Sequence, residues 1–506
     1  MQHMRLCLVL VLCLCLGLVI GCGKSTPEPV QKEIVVIHTG RILGNVFPLS
    51  LVGKDIAPLQ YYHFIAGYVQ AVRNEAASRG ATVFLIDSGD GLQGSFASKV
   101  TGCANMVEFY NALEYDAIIL GNLDAAIRPE QIHGLRAQVF VPFVTSEGEP
   151  AFPGAKTHGV ITKNGISLAI VANFHGELEY SQKPDQFPTY YAADTNRIVL
   201  PFRQHLQALK ELKATNPDYI LFNWFKFESP ETAPKIVSEI VESGADLIAA
   251  HRIYSRSRID AWTSPTYNWP IPVSVNTQRA NNGYIIARID VGRDKNGRLV
   301  VTRPPTRIPM DKNSLDAVGA SPDMRVAALM EKFASALLTA NQTLGILSAP
   351  MDEANILNVY LDSLCQRFPG RVALYSTQSV RAPWPSGPLT SAKIFESLPW
   401  ITSTVEVQLT SEQLTQLSNN ENFRTRGEPL DPDAPTIVTS AYFGILLQRK
   451  FNLPPQAITQ LCDIPESDSF TQWIRENPQA LGESFTPLTR YVQNPNNPLS
   501  DNETLR

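Results

Sequence analysis

Polar and charged side chains follow the apolar runs of this sequence, at the points where predicted strands end. The positions that could do chemistry in this way are His38, Arg41, Asp87, Asp90, Asn122, Asp124, Asn223 and His251. In open α/β sheets, functional groups gather just beyond the carboxyl ends of the strands, so we expect these side chains to meet at one edge. Carboxylates and imidazoles that converge in this way can bind divalent cations.

The elements that must position these groups alternate between strands and helices. Apolar runs with strand character lie at 34–38, 82–86, 117–120, 167–172, 219–222 and 246–250, and helical patterns lie at 60–79, 104–114 and 201–214. Continuous apolar strands separated by helices favour a layered α/β domain around a buried sheet. Further strands over 271–302 are expected to complete this domain near residue 305.

A second α/β pattern follows a proline-rich boundary at 303–312. We expect a helix over about 322–340, then strands and helices from Leu344 onward, with Thr410 as the N-cap of a helix that ends near 418. The last thirty residues are expected to be irregular. The predicted segments are 1–22 (signal), 23–32 (tether), 33–305 (first domain), 306–343 (linker and helix), 344–495 (second domain) and 496–506 (tail).

The first thirty residues predict export and attachment to a lipid. A short basic start and an apolar run over 6–20 precede Gly21 and Cys22, as in an export signal. A membrane-spanning helix needs about 20 apolar residues, which is more than this run supplies. The sequence Val-Ile-Gly-Cys at 19–22 resembles the lipobox of bacterial lipoproteins, in which the cysteine is acylated and becomes the mature N-terminus. Gly23 in place of an aspartate favours the outer membrane.

Composition excludes two classes of function. The chain of 506 residues has a net charge of −5 without long runs of one sign, whereas binding to nucleic acid calls for a basic face. Beyond the signal and Cys22, the cysteines are Cys103, Cys365 and Cys462, which are far apart and form no CxxC pair. This spacing supports neither a zinc knuckle nor a disulfide framework, and it leaves a single disulfide open.

The order of the motifs resembles the calcineurin-like metallophosphatase family, in particular the two-domain bacterial 5'-nucleotidases. In the first half the resemblance is carried by HT..I.GN at 38–45, DSGDGLQGS at 87–95 and YDAIILGN at 115–122. In the second half it is carried by VRA at 380–382, SGPLT at 386–390 and IFESLPW at 394–400. The resemblance implies an N-terminal domain of layered β-sheet and helices, followed by a 5'-nucleotidase-type α/β domain.

The same resemblance implies that most of the family's metal ligands have been replaced. The replaced positions are Arg41 for an aspartate, and Leu43, Leu123 and Phe225 for histidines. The retained positions are Asp90, which is the bridging acid in the family, Asn122 and at most His251, with Asp124 in place of a glutamate. Three such groups are too few to hold two divalent ions, so we expect no cofactor.

Arg41 puts a permanent cation where the family has a metal ligand, because a guanidinium is not deprotonated in proteins. The hypothesis is that Arg41 replaces the metal electrostatically by pairing with Asp90, which would otherwise be a buried unpaired charge. The alternative is that Arg41 points to solvent.

Residues that bind the nucleoside in the family are also partly lost. Arg381 matches the signature arginine, but the segment 439–446 lacks the glycine-rich part of the loop that supplies an aromatic. Tyr442 and Phe443 could still stack on a ligand, although aromatic residues in a strand are more often part of the core.

Three functions therefore compete. The first is a non-catalytic envelope lipoprotein that acts as a scaffold or binds an envelope protein. The second is an active phosphoesterase that hydrolyses nucleotides with manganese, zinc or magnesium ions. The third is a metal-free receptor that binds a small anionic ligand through Arg41 and Arg381 in the cleft between the domains. In each case we also expect the protein to be bound to the membrane, through the lipid on Cys22.

Overall fold

The computed structural model describes residues 31–51, 62–121, 124, 127, 129–139, 142–144, 156, 158–173, 202–227, 233–252, 261–263, 270–276, 285–399, 401–462 and 464–488. The predicted signal and most of the tether, including Cys22, lie outside these ranges, as do Asn122, Leu123 and the predicted tail. The side chains of Phe225, His251 and Tyr442 also lie outside the description.

The first half of the chain alternates strands and helices. Their bounds are β1 (Gln31–Thr39), α1 (Tyr62–Ser78), β2 (Thr82–Asp87), α2 (Phe96–Thr101), α3 (Ala104–Ala112), β3 (Ala117–Ile119), α4 (Pro129–Gln138), β4 (Phe143–Val144), β5 (His158–Lys163), β6 (Ile166–Asn173), α5 (Phe202–Thr215), β7 (Ile220–Phe227), α6 (Ala233–Glu242), β8 (Leu247–Arg252), β9 (Ala261–Thr263), β10 (Pro270–Asn276), β11 (Ile285–Arg293) and β12 (Leu299–Pro309). The strands form two sheets, ordered β12-β11-β1-β2-β3-β4 and β5-β6-β7-β8-β10-β9.

The two sheets pack face to face, because β1 and its neighbours are apolar on both sides. Ile34 and Val36 of β1 share a core with Phe222 of the second sheet, whereas Val35 and Ile37 pack in the core beneath the helices. A strand that is buried on both faces reads as a continuous apolar run. The predicted layered α/β class is confirmed, and the apolar runs are divided between two sheets.

The second half of the chain forms another α/β unit. Three helices come first, namely α7 (Lys312–Ala317), α8 (Met324–Met330) and α9 (Ala334–Ala340), and α7 and α8 contribute Leu315, Val326 and Met330 to the core of the first domain. The elements of the unit itself are β13 (Thr343–Leu347), α10 (Glu353–Arg367), β14 (Val372–Ser376), β15 (Gly387–Thr390), α11 (Ser391–Ser397), β16 (Thr404–Gln408), α12 (Ser411–Ser418), β17 (Phe423–Arg426), β18 (Thr436–Ser440), α13 (Ala441–Phe451), β19 (Ile458–Cys462), α14 (Glu466–Glu476) and β20 (Phe485–Pro487). The sheets are β15-β13-β20 and β17-β14-β18-β16-β19.

Several local predictions need correction. The single helix expected over 322–340 is broken into α8 and α9 by a 3-10 turn at Glu331–Phe333. The boundary stretch expected over 303–312 contains the end of β12 at Pro309. The last thirty residues are not wholly irregular, since β20 pairs with β13. The predicted N-cap is confirmed, because the Thr410 hydroxyl accepts from the Gln413 N–H in a capping box.

Two findings concern the cysteines and the possibility of a membrane-spanning helix. Cys103, Cys365 and Cys462 are all free thiols, so the disulfide that the sequence left open is not formed. Among the residues described, there is no helix with the length and apolar character needed to cross a bilayer.

Helix α2 of the first domain packs against the second domain. Phe96 and Ala97 of α2 pack in one apolar cluster with Leu337, Ala392 and Phe395 of the second half. The Lys99 ammonium forms an ion pair with Asp468 and lies 5.1 Å from the centre of the Phe395 ring. Since α2 follows the loop after β2, the second half of the chain lies at the carboxyl-end edge of the first domain.

A carboxyl group lies buried in the core of the second domain. Glu466 accepts hydrogen bonds from Tyr360 at 2.7 Å, from Tyr375 and from the Thr402 hydroxyl at 2.9 Å. Burial raises the pKa of Glu466 to about 7, although the three hydroxyl donors favour the ionised form and oppose this shift. The proton therefore stays on this group at pH values where an exposed glutamate is ionised.

The raised pKa of Glu466 predicts a pH-dependent stability. The folded-state pKa lies above that of the unfolded chain, so the stabilisation is complete below about pH 4.5 and is lost as pH rises through about 7. We expect Glu466→Gln, which mimics the protonated group, to gain up to about 3 kcal/mol relative to the parent between pH 5 and pH 8. Urea unfolding at both pH values measures the difference. A difference that does not change with pH would contradict the assignment.

Candidate functional site

The site predicted at the strand ends is built by two backbone segments that pair with each other. The loop after β1 and the loop after β2 exchange four hydrogen bonds, each 2.7–3.1 Å long, which are Ser88 N–H to Thr39 O, Arg41 N–H to Gly89 O, Leu43 N–H to Asp90 O, and Gly44 N–H to Gly91 O. These bonds continue the parallel pairing of β1 with β2 beyond the sheet. The positions singled out on the two motifs therefore lie side by side.

Three non-glycine residues of these loops have left-handed backbones. The φ angles are 55° at Arg41, 55° at Leu43 and 53° at Asp90. Such conformations persist only where the surrounding structure imposes them, and they concentrate at functional sites. The loops after β1 and β2 therefore hold a strained backbone geometry at the candidate site.

Gly121 allows the loop after β3 to approach Asp90. A Cβ at Gly121 would lie 2.2 Å from Asp90 Oδ1 and 2.5 Å from the Asp90 backbone nitrogen. No side chain could be accommodated at such distances without moving the backbone. The glycine of the segment YDAIILGN is therefore needed for the close approach of this loop to Asp90.

Arg41 and Asp90 face each other at the centre of the site. Arg41 Nη1 lies 3.8 Å from Asp90 Oδ2, and the two side chains are 12% and 3% exposed. The pairing that the sequence suggested is observed, and the alternative that Arg41 points to solvent is wrong. At this separation the contact is an ion pair rather than a short hydrogen bond.

Two further carboxyl groups are buried close to Asp90. Asp87 accepts from the Thr39 hydroxyl at 2.8 Å and from the Gly89 N–H at 3.0 Å, and burial raises its pKa to about 7. Asp124 accepts from the N–H groups of Leu92 and Gly121 at 3.0 and 2.9 Å. Burial, and then the charge of Asp90, raise the pKa of Asp124 above its usual range.

The hydrogen-bond partners of Asp87 and Asp124 show which segments each carboxyl connects. Asp124 joins the loop after β2 to the loop after β3 through backbone N–H groups. Asp87 joins the loop after β1 to the loop after β2. Neither carboxyl is directed to solvent, since both residues are fully buried. Both act as structural links of the site.

His38 lies near the end of β1, in the HT..I.GN segment. It is fully buried, and its Nδ1 lies 3.0 Å from the Ser88 hydroxyl. Burial lowers the pKa of His38 to about 3, so the imidazole is neutral at physiological pH. It is a packed residue of the sheet, with its ring against Phe222.

Two residues that support the first loop were not identified from the sequence. The Asn105 side chain donates to the carbonyls of Gly44 and Val46, each at 3.0 Å. The Ser95 hydroxyl donates to the Gly44 carbonyl at 2.6 Å. A single sequence does not show that an asparagine within a helix will support a neighbouring loop, so Asn105 could not be identified in advance. Ser95 is the last residue of the DSGDGLQGS segment.

The other predicted positions are only partly described. The backbone of Phe225 pairs with Ala250 and that of Lys226 with His251 in adjacent parallel strands, and the side chains of Phe225 and His251 lie outside the described part of the structure. Arg381 is exposed, and its N–H donates to Ser397 O at 2.8 Å.

The aromatic pair suggested as a ligand platform needs correction. Tyr442 and Phe443 lie in the helix α13 and not in a strand. Phe443 belongs to the core of the second domain, where its ring contacts Tyr375 at 5.4 Å between centroids. Phe443 is therefore not available to stack on a ligand.

The described part of the site does not fit a pair of divalent ions. The Arg41 guanidinium lies where a cation would meet Asp90, and the apolar Leu43 packs beside Gly94. Across the described ranges, no group of three or more histidine, cysteine, aspartate or glutamate side chains is arranged to hold a metal.

Solved structures share this fold. The 5'-nucleotidase precursor of Thermus thermophilus is 15% identical with a TM-score of 0.59, and the alignment covers 88% of this chain and 96% of that one. A putative 5'-nucleotidase of Staphylococcus aureus is 13% identical with a TM-score of 0.59, covering 90% and 99%. The sulfate thiohydrolase SoxB of Thermus thermophilus is 14% identical with a TM-score of 0.55, covering 88% and 95%.

These likenesses establish the fold. The chain has the two-domain architecture of the 5'-nucleotidases, with a metallophosphatase-type first domain and an α/β second domain, as the sequence predicted. No family model matches the sequence, and no curated protein does. Because one of the three structures is named for a different reaction, the fold alone does not select a substrate.

The close approach at Gly121 predicts a large effect of one methyl group. We expect Gly121→Ala to destabilise the first domain by about 2–4 kcal/mol, because the Cβ would meet the backbone and carboxylate of Asp90. Gly134→Ala is the matched control, since nothing lies within 4 Å of its added Cβ in the helix α4. Chemical denaturation measures both variants. Equal stability of the two variants would contradict the packing described here.

Proposed function

We propose that this chain is a non-catalytic lipoprotein of the bacterial cell envelope, in which a 5'-nucleotidase fold acts as a scaffold or binding module. The observation that carries the proposal is the Arg41–Asp90 pair. A guanidinium supplies a fixed positive charge at the acid that would otherwise bridge two metal ions. The site can therefore fold, with the charge of Asp90 balanced, in the absence of a cofactor.

The chemistry of a two-metal phosphoesterase needs ligands that this chain lacks. Two cations must be held so that one activates water and both stabilise the charge on the phosphate. Leu43 offers no lone pair, and Arg41 repels a cation. The neighbouring carboxyls do not replace these ligands, because Asp87 and Asp124 are committed to backbone and hydroxyl partners. The loss affects several strand ends together, while the loop framework persists.

The envelope location rests on the sequence at the N-terminus. Two or more acyl chains on Cys22 would give stable anchoring, whereas a single chain would be marginal. Gly23 favours the outer membrane over retention at the inner membrane. Besides the membrane, the partner of the folded domains would be an envelope protein or a small anionic molecule.

Measurements of metal content and ligand binding could instead favour one of two other functions, a hydrolase or a metal-free receptor. The solved structures with this fold include proteins named 5'-nucleotidase and sulfate thiohydrolase, which supports a hydrolase with relocated ligands. Arg41 keeps 12% of its side chain accessible, which supports a metal-free receptor for a small anion. Thermal stabilisation by phosphate or AMP without metal would favour the receptor.

The proposal predicts that the purified chain holds no stoichiometric metal. After dialysis against manganese and zinc, we expect elemental analysis of residues 24–506 to find well below one ion per chain, with no hydrolysis of AMP or p-nitrophenyl phosphate by the same sample. The physical reason is the cation at Asp90 and the missing ligands. Two ions per chain with turnover would overturn the proposal.

A matched pair of variants controls this measurement. Arg41→Asp with Leu43→His restores two ligand types at the first loop, and it should raise the metal content relative to the parent. Arg41→Lys with Leu43→Met keeps the charge and the apolar character, and it should leave the metal content unchanged. If the restored variant binds no more metal than the control, the remaining ligands do not form a usable site.

A further inference from the structure

We propose that the contact between the two domains is a pH-sensitive device, in which ionisation of the buried Glu466 carboxyl opens the domain seam at alkaline pH. The domain seam is defined as Phe96 and Lys99 of α2 together with Phe395, Ile401 and Asp468 of the second domain. This inference depends neither on the lipid anchor nor on the loss of catalysis, and it adds a conformational response to the fold.

The domain seam combines an apolar contact with one ion pair. Phe96 and Phe395 pack in the same cluster, with their ring centroids 6.4 Å apart, and Ile401 packs against both this cluster and the core of the first domain. Lys99 pairs with Asp468, and the two side chains are 21% and 43% exposed. An ion pair with this exposure contributes little by itself. The seam therefore depends on how the segments that carry Ile401 and Asp468 are held.

Glu466 holds both of these segments. Its N–H donates to the Thr402 carbonyl at 3.2 Å, and its carboxyl accepts from the Thr402 hydroxyl at 2.9 Å. Ile401 directly precedes Thr402, and Asp468 follows Glu466 in the first turn of α14. A movement of the Glu466 side chain toward water would therefore carry the start of α14 away from Thr402 and loosen the seam at both segments.

The Glu466 carboxyl is surrounded by hydroxyl groups, and in the described part of the chain no lysine or arginine pairs with it. Tyr360 of α10 and Tyr375 of β14 donate to it. Burial raises the pKa of both tyrosines above their usual range, so they remain protonated donors. Charged groups of the neighbouring elements have other partners, which are Ser469 and Cys462 for Arg367, Arg371 for Glu406, Arg426 for Asp362, Gln342 for Arg475 and Lys99 for Asp468.

Ionisation of Glu466 places an uncompensated charge in the core. Three hydroxyl donors and the start of a helix favour the carboxylate, but burial outweighs them and raises the pKa of Glu466 to about 7. An open seam would hydrate this charge, whereas the closed seam cannot. The closed form is therefore most favoured below the ordinary pKa of 4.5, and it loses this stabilisation as pH rises through about 7.

Opening of the seam would act at the edge of the first domain that carries the candidate site. Helix α2 begins directly after the loop that carries Asp90, and the second domain packs on this helix. A partner that binds at the candidate site would therefore meet a more accessible surface at alkaline pH than at acid pH.

Hydrogen exchange of the full chain at pH 5 and pH 8, followed by mass spectrometry, measures this opening. After correction for intrinsic exchange rates, we expect the opening constant at α2 and at the first turn of α14 to rise about tenfold or more between the two pH values. These amides should also exchange faster than those of the central strand β18, because local opening needs less free energy than unfolding of the domain.

A matched pair of variants assigns the effect to Glu466. Glu466→Gln removes the titrating group and should abolish the rise. Glu476→Gln makes the same chemical change at an exposed position at the other end of α14, and it should leave the rise intact. Tyr360→Phe keeps the Glu466 carboxyl but removes one donor to its ionised form, so the opening should continue to rise to a higher pH than in the parent.

Three results would overturn the device. Protection at α2 and α14 that does not change with pH would show that the seam stays closed over an ionised Glu466. A rise that persists in Glu466→Gln would assign the response to another group. Exchange at the seam no faster than at β18 would mean that the second domain unfolds as a whole, in which case only the effect of Glu466 on stability would stand.

Discussion

The structure of the site depends on how three carboxyl groups are accommodated in one buried place. Asp87, Asp90 and Asp124 lie at the ends of neighbouring strands and have almost no exposure. Like charges at such distances cannot all remain ionised without compensation. Here Asp87 and Asp124 have raised pKa values, and Asp90 faces a guanidinium. The negative charge of the three carboxyls is thus reduced by the raised pKa values of Asp87 and Asp124 and balanced at Asp90 by one arginine.

The backbone framework of the site does not depend on the side chains at its centre. The four backbone hydrogen bonds between the loops after β1 and β2 do not depend on the side chains at 41 and 43. Gly121 still permits the third loop to approach Asp90, and Asn105 and Ser95 still hold the first loop. A change at Arg41 or Leu43 alters the chemistry of the site, whereas a change at Gly121 alters its packing.

The fold was largely accessible from the sequence because apolar runs and motif order are local signals. The strands around the site, the Thr410 cap and the pairing of Arg41 with Asp90 could all be predicted. The division of the apolar runs between two sheets could not, because a run buried on both faces looks the same in either sheet. The role of Asn105 and the place of Phe443 in a core helix depend on tertiary contacts, which one sequence does not encode as a visible pattern.

The most direct test of the account is a double-mutant cycle on Arg41 and Asp90, measured by chemical denaturation in the presence of a metal chelator. If the guanidinium is the counter-charge of Asp90, Arg41→Met should destabilise the parent but hardly affect the Asp90→Asn background. The coupling should then be about 1–2 kcal/mol, and Arg41→Lys should retain part of it. Additive effects of the two substitutions would mean that Arg41 does not neutralise Asp90, and the central claim would fail.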